Sequence, residues 1–259
     1  MDPKPVWLRN HALGELWPAW LLRARRAADA RQLARARWVW RDKSGRYLAT
    51  LDASGRIEPL RPLPAASPAL PPPFAASGLR PRQPPRTLPH HGLAERLQTL
   101  GLDAAAYGAS TGLPLVAEPD WLALAGFDRY RRPLWLRREA ARAWEAMRHA
   151  AAASDVMLEA ISGWRSHAYQ LGIFERKRAR GLAVDEILAV NAAPGFSEHH
   201  SGDALDIGCP GEPPAEESFE ATPAFAWLER HAADFGFRMS YPRDNPHGIV
   251  YEPWHWRYT

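Results

Sequence analysis

Ser197-Glu198-His199-His200-Ser201-Gly202-Asp203-Ala204-Leu205-Asp206 sets a histidine and an aspartate seven residues apart with a glycine between them. Ala204 to Ile207 reads as a strand, with Leu205 and Ile207 toward the core and Asp206 on the opposite face. His199 falls on the loop before it, and Gly202 lets the backbone bend between the two. Near the C-terminus, Glu252-Pro253-Trp254-His255 adds a second histidine and a spare carboxylate. In an unbroken strand, positions 252 and 255 would point to opposite faces. Pro253 interrupts the ladder and allows both side chains to converge.

A zinc ion in a hydrolytic site takes three ligands from His, Asp or Glu and keeps one position for water. The metal lowers that water's pKa toward ~7, and a nearby carboxylate can accept its proton. His199, Asp206 and His255 suit the ligand roles, one zinc ion is the implied cofactor, and Glu252 suits the general base. A lone histidine is usually a surface or hydrogen-bonded core residue, which is the reading for His90, His91, His149, His167, His200 and His231. An aspartate at a strand end is usually a cap. Neither half of the pattern separates a site from such roles; the two halves together do.

Working outward, Val156 to Ile161 reads as a strand, and His167 to Arg180 as a helix stopped by Gly181. Leu136 to Ala153 is helical, because Ala140, Ala143, Trp144, Met147 and Ala151 recur at helical spacing. Leu93 to Leu100 and Asp185 to Val190 are shorter helices. Between the first of these and Arg132 lies a stretch punctuated by Gly and Pro. Thr222-Pro223 starts a helix that reaches Asp234 and stops at Gly236. Phe237 to Ser240 and Ile249 to Glu252 would close the sheet. Helices and strands mix without βαβ alternation, so the fold class is α+β, a small central antiparallel sheet with flanking helices.

The N-terminal part reads differently. Residues 16–37 are rich in Arg and Ala and suggest a helix whose apolar stripe uses Leu16, Trp20 and Leu33. Short β-type runs follow, Trp38 to Trp40, Tyr47 to Leu51 and Arg56-Ile57, separated by glycine-containing turns, which is the pattern of a small meander. From Pro59 to Pro89 there are 11 prolines in 31 residues. Each fixes φ and removes a backbone donor, so the segment reads as an extended linker. The expected organisation is an extension over 1–58, a linker over 59–90 and the metal-site domain over 91–259.

At 259 residues and 46% hydrophobic content, the chain can bury a core. The single cysteine, Cys209, excludes an intramolecular disulfide and a cysteine-based zinc site; it reads as a small residue ending a strand. The net charge of +4 conceals 13 Lys/Arg against 6 Asp/Glu in residues 1–62. Such charge is usually a solvated helix face, and no binding motif accompanies it, so no nucleic-acid partner is expected. No apolar run is long enough for a membrane span. The sequence begins without a basic-then-apolar leader, and the expectation is a cytoplasmic protein, or a periplasmic one if the start lies upstream.

Ser197-x-His199-x-x-Gly202-x-Ala204-x-Asp206 followed by Glu252-x-x-His255 resembles the VanY-type D-alanyl-D-alanine carboxypeptidases, zinc peptidases of the Hedgehog/DD-peptidase fold. The resemblance runs from about Leu115 to Thr259. It takes in Ser162-Gly163-Trp164-Arg165-Ser166, Gln170, Pro194-Gly195-Phe196 and Trp256-Arg257-Tyr258. It implies zinc bound by His199, Asp206 and His255, with Glu252 as catalytic base and acid. Arg165 would engage the substrate carbonyl or carboxylate, which suits a charged bidentate donor. Ser197 and Gln170 would hold the substrate's C-terminal end. Trp164 stands where the family often has tyrosine, and either aromatic can pack at a pocket edge.

The implied activity is hydrolysis of a terminal D-alanine, across a D,D or an L,D bond, from peptidoglycan stem peptides or muropeptides. An endopeptidase or dipeptidase on the same fold is one alternative. A non-catalytic, zinc-stabilised module binding wall peptides is the other, and retention of Glu252 and Arg165 argues against it.

Overall fold

The computed structural model describes residues 5–24, 26–60, 81, 86–90 and 92–259. The proline-rich stretch over 59–90, and His91, therefore lie largely outside the described residues. The chain divides into two compact units, each with its own core. One takes the described residues up to Leu88 together with Pro119–Ala123; the other takes Pro89–Glu118 and Leu124–Thr259.

The first unit is an antiparallel meander. β1 (Trp7–His11) and β2 (Gly14–Pro18) form a hairpin with Arg9 opposite Leu16, joined by a two-residue turn at Ala12 and Leu13. A short 3₁₀ turn (Ala19–Leu21) and α1 (Ala27–Arg35) follow, then β3 (Trp38–Asp42), β4 (Tyr47–Leu51) and β5 (Ile57–Pro59). The spatial order is β5-β4-β3-β2-β1. The side chains of β3 alternate between two small cores, as a pleated strand requires. Trp38 and Trp40 join Leu16, Ala49 and Leu51, whereas Val39 joins Ala19 and Leu33 of α1. The helix expected over residues 16–37 is corrected here. Gly14 to Pro18 pair with β3, and Gly14 to Leu16 with β1 as well, so the start of the range is strand and the helix is confined to Ala27–Arg35. Trp20, assigned above to the apolar stripe, is 66% exposed.

The second unit opens with α2 (Leu93–Thr99) and α3 (Ala104–Thr111), the latter capped by Asp103, which accepts from the amides of Ala105 and Ala106. β6 (Trp121–Phe127) passes from the first unit to the second; its residues Trp121–Ala123 pair with β1, and it neighbours β7 (Pro133–Leu136). α4 (Arg138–Ala152) follows, buried through Ala140, Ala141, Trp144, Met147 and Ala151. Then come β8 (Glu159–Ser162), α5 (His167–Ala179), α6 (Val184–Leu188) and β9 (Ala204–Gly208). α7 (Pro223–His231), β10 (Phe237–Met239) and β11 (His255–Tyr258) complete the chain. These give an antiparallel sheet of order β10-β11-β9-β8 with helices around it, an α+β fold.

The Thr222-Pro223 start holds: the Thr222 hydroxyl accepts from the Phe225 amide. Its helix yields to a 3₁₀ turn at Ala232, before Gly236. Residues Ile249 to Glu252 form no strand; the ladder begins at His255, because Pro253 cannot donate to it. A core of Leu93, Leu97, Leu171, Phe174, Phe196 and Ile249 lies under α2 and α5. Burying Phe174 fully contributes about 2–3 kcal/mol. Phe196 ends the stretch that leads into Ser197, so this core anchors the loop carrying His199.

Candidate active site

β9 is the inner strand that organises the site. All five of its residues are buried, and it is flanked by β11 and β8. In the β9–β11 ladder, Asp206 lies directly opposite His255. Cross-strand partners share a sheet face, so the two side chains meet without any loop to place them. His199 comes from a 3₁₀ turn (Glu198–Ser201) that ends at Gly202 with φ 76°. That left-handed turn, which glycine adopts without strain, brings the chain back into β9.

The three side chains are buried, and their nearest ligand atoms all lie within 4.8 Å of one another. His199 Nε2 is 3.2 Å from Asp206 Oδ1, and His255 Nδ1 is 3.1 Å from the same oxygen. The other ring nitrogens are already committed. His199 Nδ1 donates to the Gly163 carbonyl at 2.8 Å, and His255 Nε2 lies 2.9 Å from Glu198 Oε2. A carbonyl oxygen only accepts, so Nδ1 of His199 carries its proton and Nε2 presents a lone pair. His199 Nε2, His255 Nδ1 and Asp206 Oδ1 thus converge, and once the Nδ1 proton of His255 is displaced they make the donor set of a cation. The edge of a zinc tetrahedron with arms of 2.0–2.1 Å is about 3.3 Å, close to both contacts.

Burial, and then the Arg165 guanidinium, push His199 down to about 4, so it is neutral at pH 7. Burial opposes protonation of His255 too. Its contacts with Asp206 and Glu198 prevail and carry it up to about 10. Burial alone would raise Asp206, yet His199 and His255 hold it well below the usual carboxylate range.

Glu252 stands beside this cluster, with Oε2 3.9 Å from His255 Nδ1. It lies in a turn rather than a strand: its amide donates to the Tyr241 carbonyl, and its own carbonyl accepts from the His255 amide. Burial pushes its carboxyl up to about 7. Arg165 follows β8 and approaches the far oxygen of Asp206 at 3.9 Å. Gln170 on α5 donates from Nε2 to the Ala192 carbonyl, while its Oε1 is buried without a hydrogen-bond partner. Ser197 is buried just ahead of the 3₁₀ turn.

All seven residues singled out in the sequence, Arg165, Gln170, Ser197, His199, Asp206, Glu252 and His255, line one cleft of about 340 Å³. His200 is turned away from it. Its Nδ1 donates to the Arg165 carbonyl and its Nε2 accepts from the Gly195 amide, and burial drives its pKa well below 6.5. It stitches loops together as a neutral ring.

Sequence reasoning missed four contributors. Glu198 bridges His255 Nε2 and Arg257 Nη1, at 2.9 and 3.0 Å. Burial opposes its ionisation, but His255 and Arg257 bring it down to about 2. The signal for Arg257 was its position two residues after His255, on the same strand face. Tyr241 places its ring 4.9 Å from that of His255. Gly163 supplies the carbonyl for His199; a Cβ there would stand 2.7 Å from Leu134 Cδ1 and 3.0 Å from the Trp135 carbonyl.

Residues 133–259 match the VanY family, described as D-alanyl-D-alanine carboxypeptidase. VanXYC of Enterococcus gallinarum, a bifunctional D-Ala-D-Ala dipeptidase and D-Ala-D-Ala carboxypeptidase, is 32% identical over 149 residues, which cover 55% of this chain and 75% of that protein. A D-alanyl-D-alanine carboxypeptidase of Enterococcus faecium is 34% identical over 109 residues, covering 41% of this chain and 34% of its own length. Among solved structures, the LdcB LD-carboxypeptidase is 31% identical with a TM-score of 0.48, over 51% of this chain and 64% of that one. The chain spans half or less of three of the curated relatives it matches.

Proposed function

Because the chain belongs to the VanY D-alanyl-D-alanine carboxypeptidase family, we propose that it is a zinc-dependent carboxypeptidase removing the terminal D-alanine of peptidoglycan stem peptides. One observation carries the reading. Two imidazole nitrogens and a carboxylate oxygen converge, buried, beside a carboxyl that burial has raised to about 7.

His199, Asp206 and His255 would hold a zinc ion, which would supply an activated water and a Lewis acid for the peptide carbonyl. Glu252 accepts a proton from the attacking water and delivers it to the leaving amine. A carboxyl titrating near neutrality suits both halves of that exchange. Arg165 steadies the negative charge that grows on the carbonyl oxygen, a role in which a positioned donor outweighs its worth in water. Ser197 and Gln170 hold the substrate's C-terminal end, the unpartnered Oε1 of Gln170 accepting from the N–H of the terminal residue. With the Nδ1 proton of His255 displaced, two neutral rings and one carboxylate would leave a divalent ion net positive, which would favour the anionic transition state.

Purified protein should release D-alanine from stem tetra- or pentapeptides, and the ratio of those two rates separates L,D from D,D cleavage. Glu252→Gln should lower turnover by ~10²–10⁴-fold while zinc content stays near that of the parent. Unchanged turnover would remove Glu252 from this role. Zinc binding with no D-alanine released from either substrate would refute the activity.

A further inference from the structure

The first unit carries a surface that the function proposed above does not use. α1 turns Leu33 inward against Ala19 and Val39, and Asp29 is buried with it. Arg31 and Arg35 each lie two residues from Leu33, about half a turn round the helix, and both are exposed. The remaining exposed positions of α1 are alanines, at 27, 28, 30 and 34. Arg23 and Arg26 before the helix and Arg37 after it are exposed as well. The 3₁₀ turn at Ala19–Leu21 shares the core under α1, and the Ala19 amide donates to the Arg37 carbonyl at 3.1 Å. Turn and helix therefore lie side by side on one face of the sheet, with Trp20 of the turn 66% exposed.

From Leu16 to Arg41 the chain has seven arginines and one acidic residue, the buried Asp29. Other arginines of this unit have a carboxylate of their own: Arg41 pairs with Glu15, Arg46 with Asp42 and Arg56 with Glu58. Arg23, Arg26, Arg31, Arg35 and Arg37 do not. Among the described residues, the structure gives their side chains neither an ion pair nor a hydrogen bond. Arg31 and Arg35 stand one turn apart, a like-charge spacing that weakens a helix in isolation. A solvated helix face ordinarily mixes both signs, whereas a face of one sign suits an anionic partner.

We propose that this face docks the protein on a bilayer surface rich in anionic phospholipid, with the guanidiniums against lipid phosphates and Trp20 in the headgroup layer. Charge complementarity carries the docking, because a cluster of basic side chains gathers favourable energy from each one near such a surface. Trp20 decides the occupant. An exposed indole beside a basic cluster suits the boundary between headgroups and acyl chains. The alanines of α1 offer no hydrogen-bonding side chain with which to read a base or a sugar, and a lipid surface needs none. None of these residues lines the cleft, so the proposal stands apart from the carboxypeptidase reading.

The test is flotation of the full chain with vesicles of phosphatidylcholine, with and without phosphatidylglycerol. The protein should float with the anionic vesicles and not with the neutral ones, and the bound fraction should fall as salt is added. Replacing Arg31→Gln and Arg35→Gln together should lower the partition coefficient by about ten- to thirtyfold, the loss of two charges at the surface. Trp20→Ala should lower it as well. Circular dichroism and the melting temperature check that each variant is folded. Arg23→Gln with Arg37→Gln, both outside the helix, supplies the same comparison if the first pair disturbs α1.

Equal flotation with both kinds of vesicle, or with neither, would overturn the proposal. So would undiminished binding in both arginine pairs, or in Trp20→Ala. Binding of an oligonucleotide or of soluble polyglycerol phosphate that anionic vesicles fail to displace would overturn it too, by giving the face to another polyanion.

Discussion

His255 is gripped from two directions, by Asp206 at Nδ1 and by Glu198 at Nε2, and Arg257 in turn holds Glu198. Such an outer carboxylate fixes which ring nitrogen faces a metal and raises its basicity. Glu198→Ala should therefore weaken zinc affinity by about ten- to a hundredfold, measured by competition with a chromophoric chelator. Glu198→Gln keeps an acceptor for the ring N–H and should lose less. Equal affinity in all three proteins would contradict the assignment. The sequence makes the residue types and the short spacing of His199 and Asp206 visible. The contacts that set each tautomer are invisible there, since Gly163 and Glu198 reach their histidines from 36 and 57 residues away. Glu198, directly beside His199, looks like filler until β11 is folded against it.

At the scale of elements, one turn recurs. Asp42 Oδ1 accepts from the amides of Ser44 and Arg46, Asp52 from those of Ser54 and Arg56, and Asp128 from those of Tyr130 and Arg132. The fourth position has positive φ each time, at Gly45, Gly55 and Arg131. Glycine at that position is the turn signal that made the meander legible, and its replacement by arginine hid the β6–β7 hairpin. β6 was masked further by an unbroken apolar run, and α3 by a helix with no buried face.

The Asp42 turn also has a pH signature. Burial would raise its carboxyl, but the hydrogen bonds from Ser44 and Arg46 hold it below its ordinary value of 3.8. A group depressed in the folded state contributes stability above its unfolded pKa and loses it as pH falls through the folded one. Asp42→Ala should cost about 1–3 kcal/mol near pH 6 through the orphaned donors. The gap in urea midpoint between variant and parent should narrow toward pH 3. A gap that is constant across that range would contradict the account.

Across the whole molecule, two cores are built by different means. The first unit pairs β1 to β5 with the start of β6 and packs one helix on them; the second sets helices round a four-stranded sheet and carries the cleft. Pro119–Ala123 belongs with the first unit although thirty residues of the second precede it. Composition could mark the proline-rich stretch, but a later strand returning to pair with β1 leaves no local trace, because β pairing is a long-range choice. The α+β character of the second unit was legible because α4 has a strongly periodic buried face and α7 a plain Thr222-Pro223 start.

The central claim is that His199, Asp206 and His255 hold one zinc ion on which D-alanine release depends. The most direct measurement is a zinc titration of metal-stripped protein, with D-alanine release from a stem pentapeptide and a stem tetrapeptide followed at each step. Release from at least one peptide should rise in proportion to zinc and level off at one equivalent, and Asp206→Ala should abolish both uptake and release. Release that is indifferent to zinc, or full zinc uptake with no release from either peptide, would contradict it.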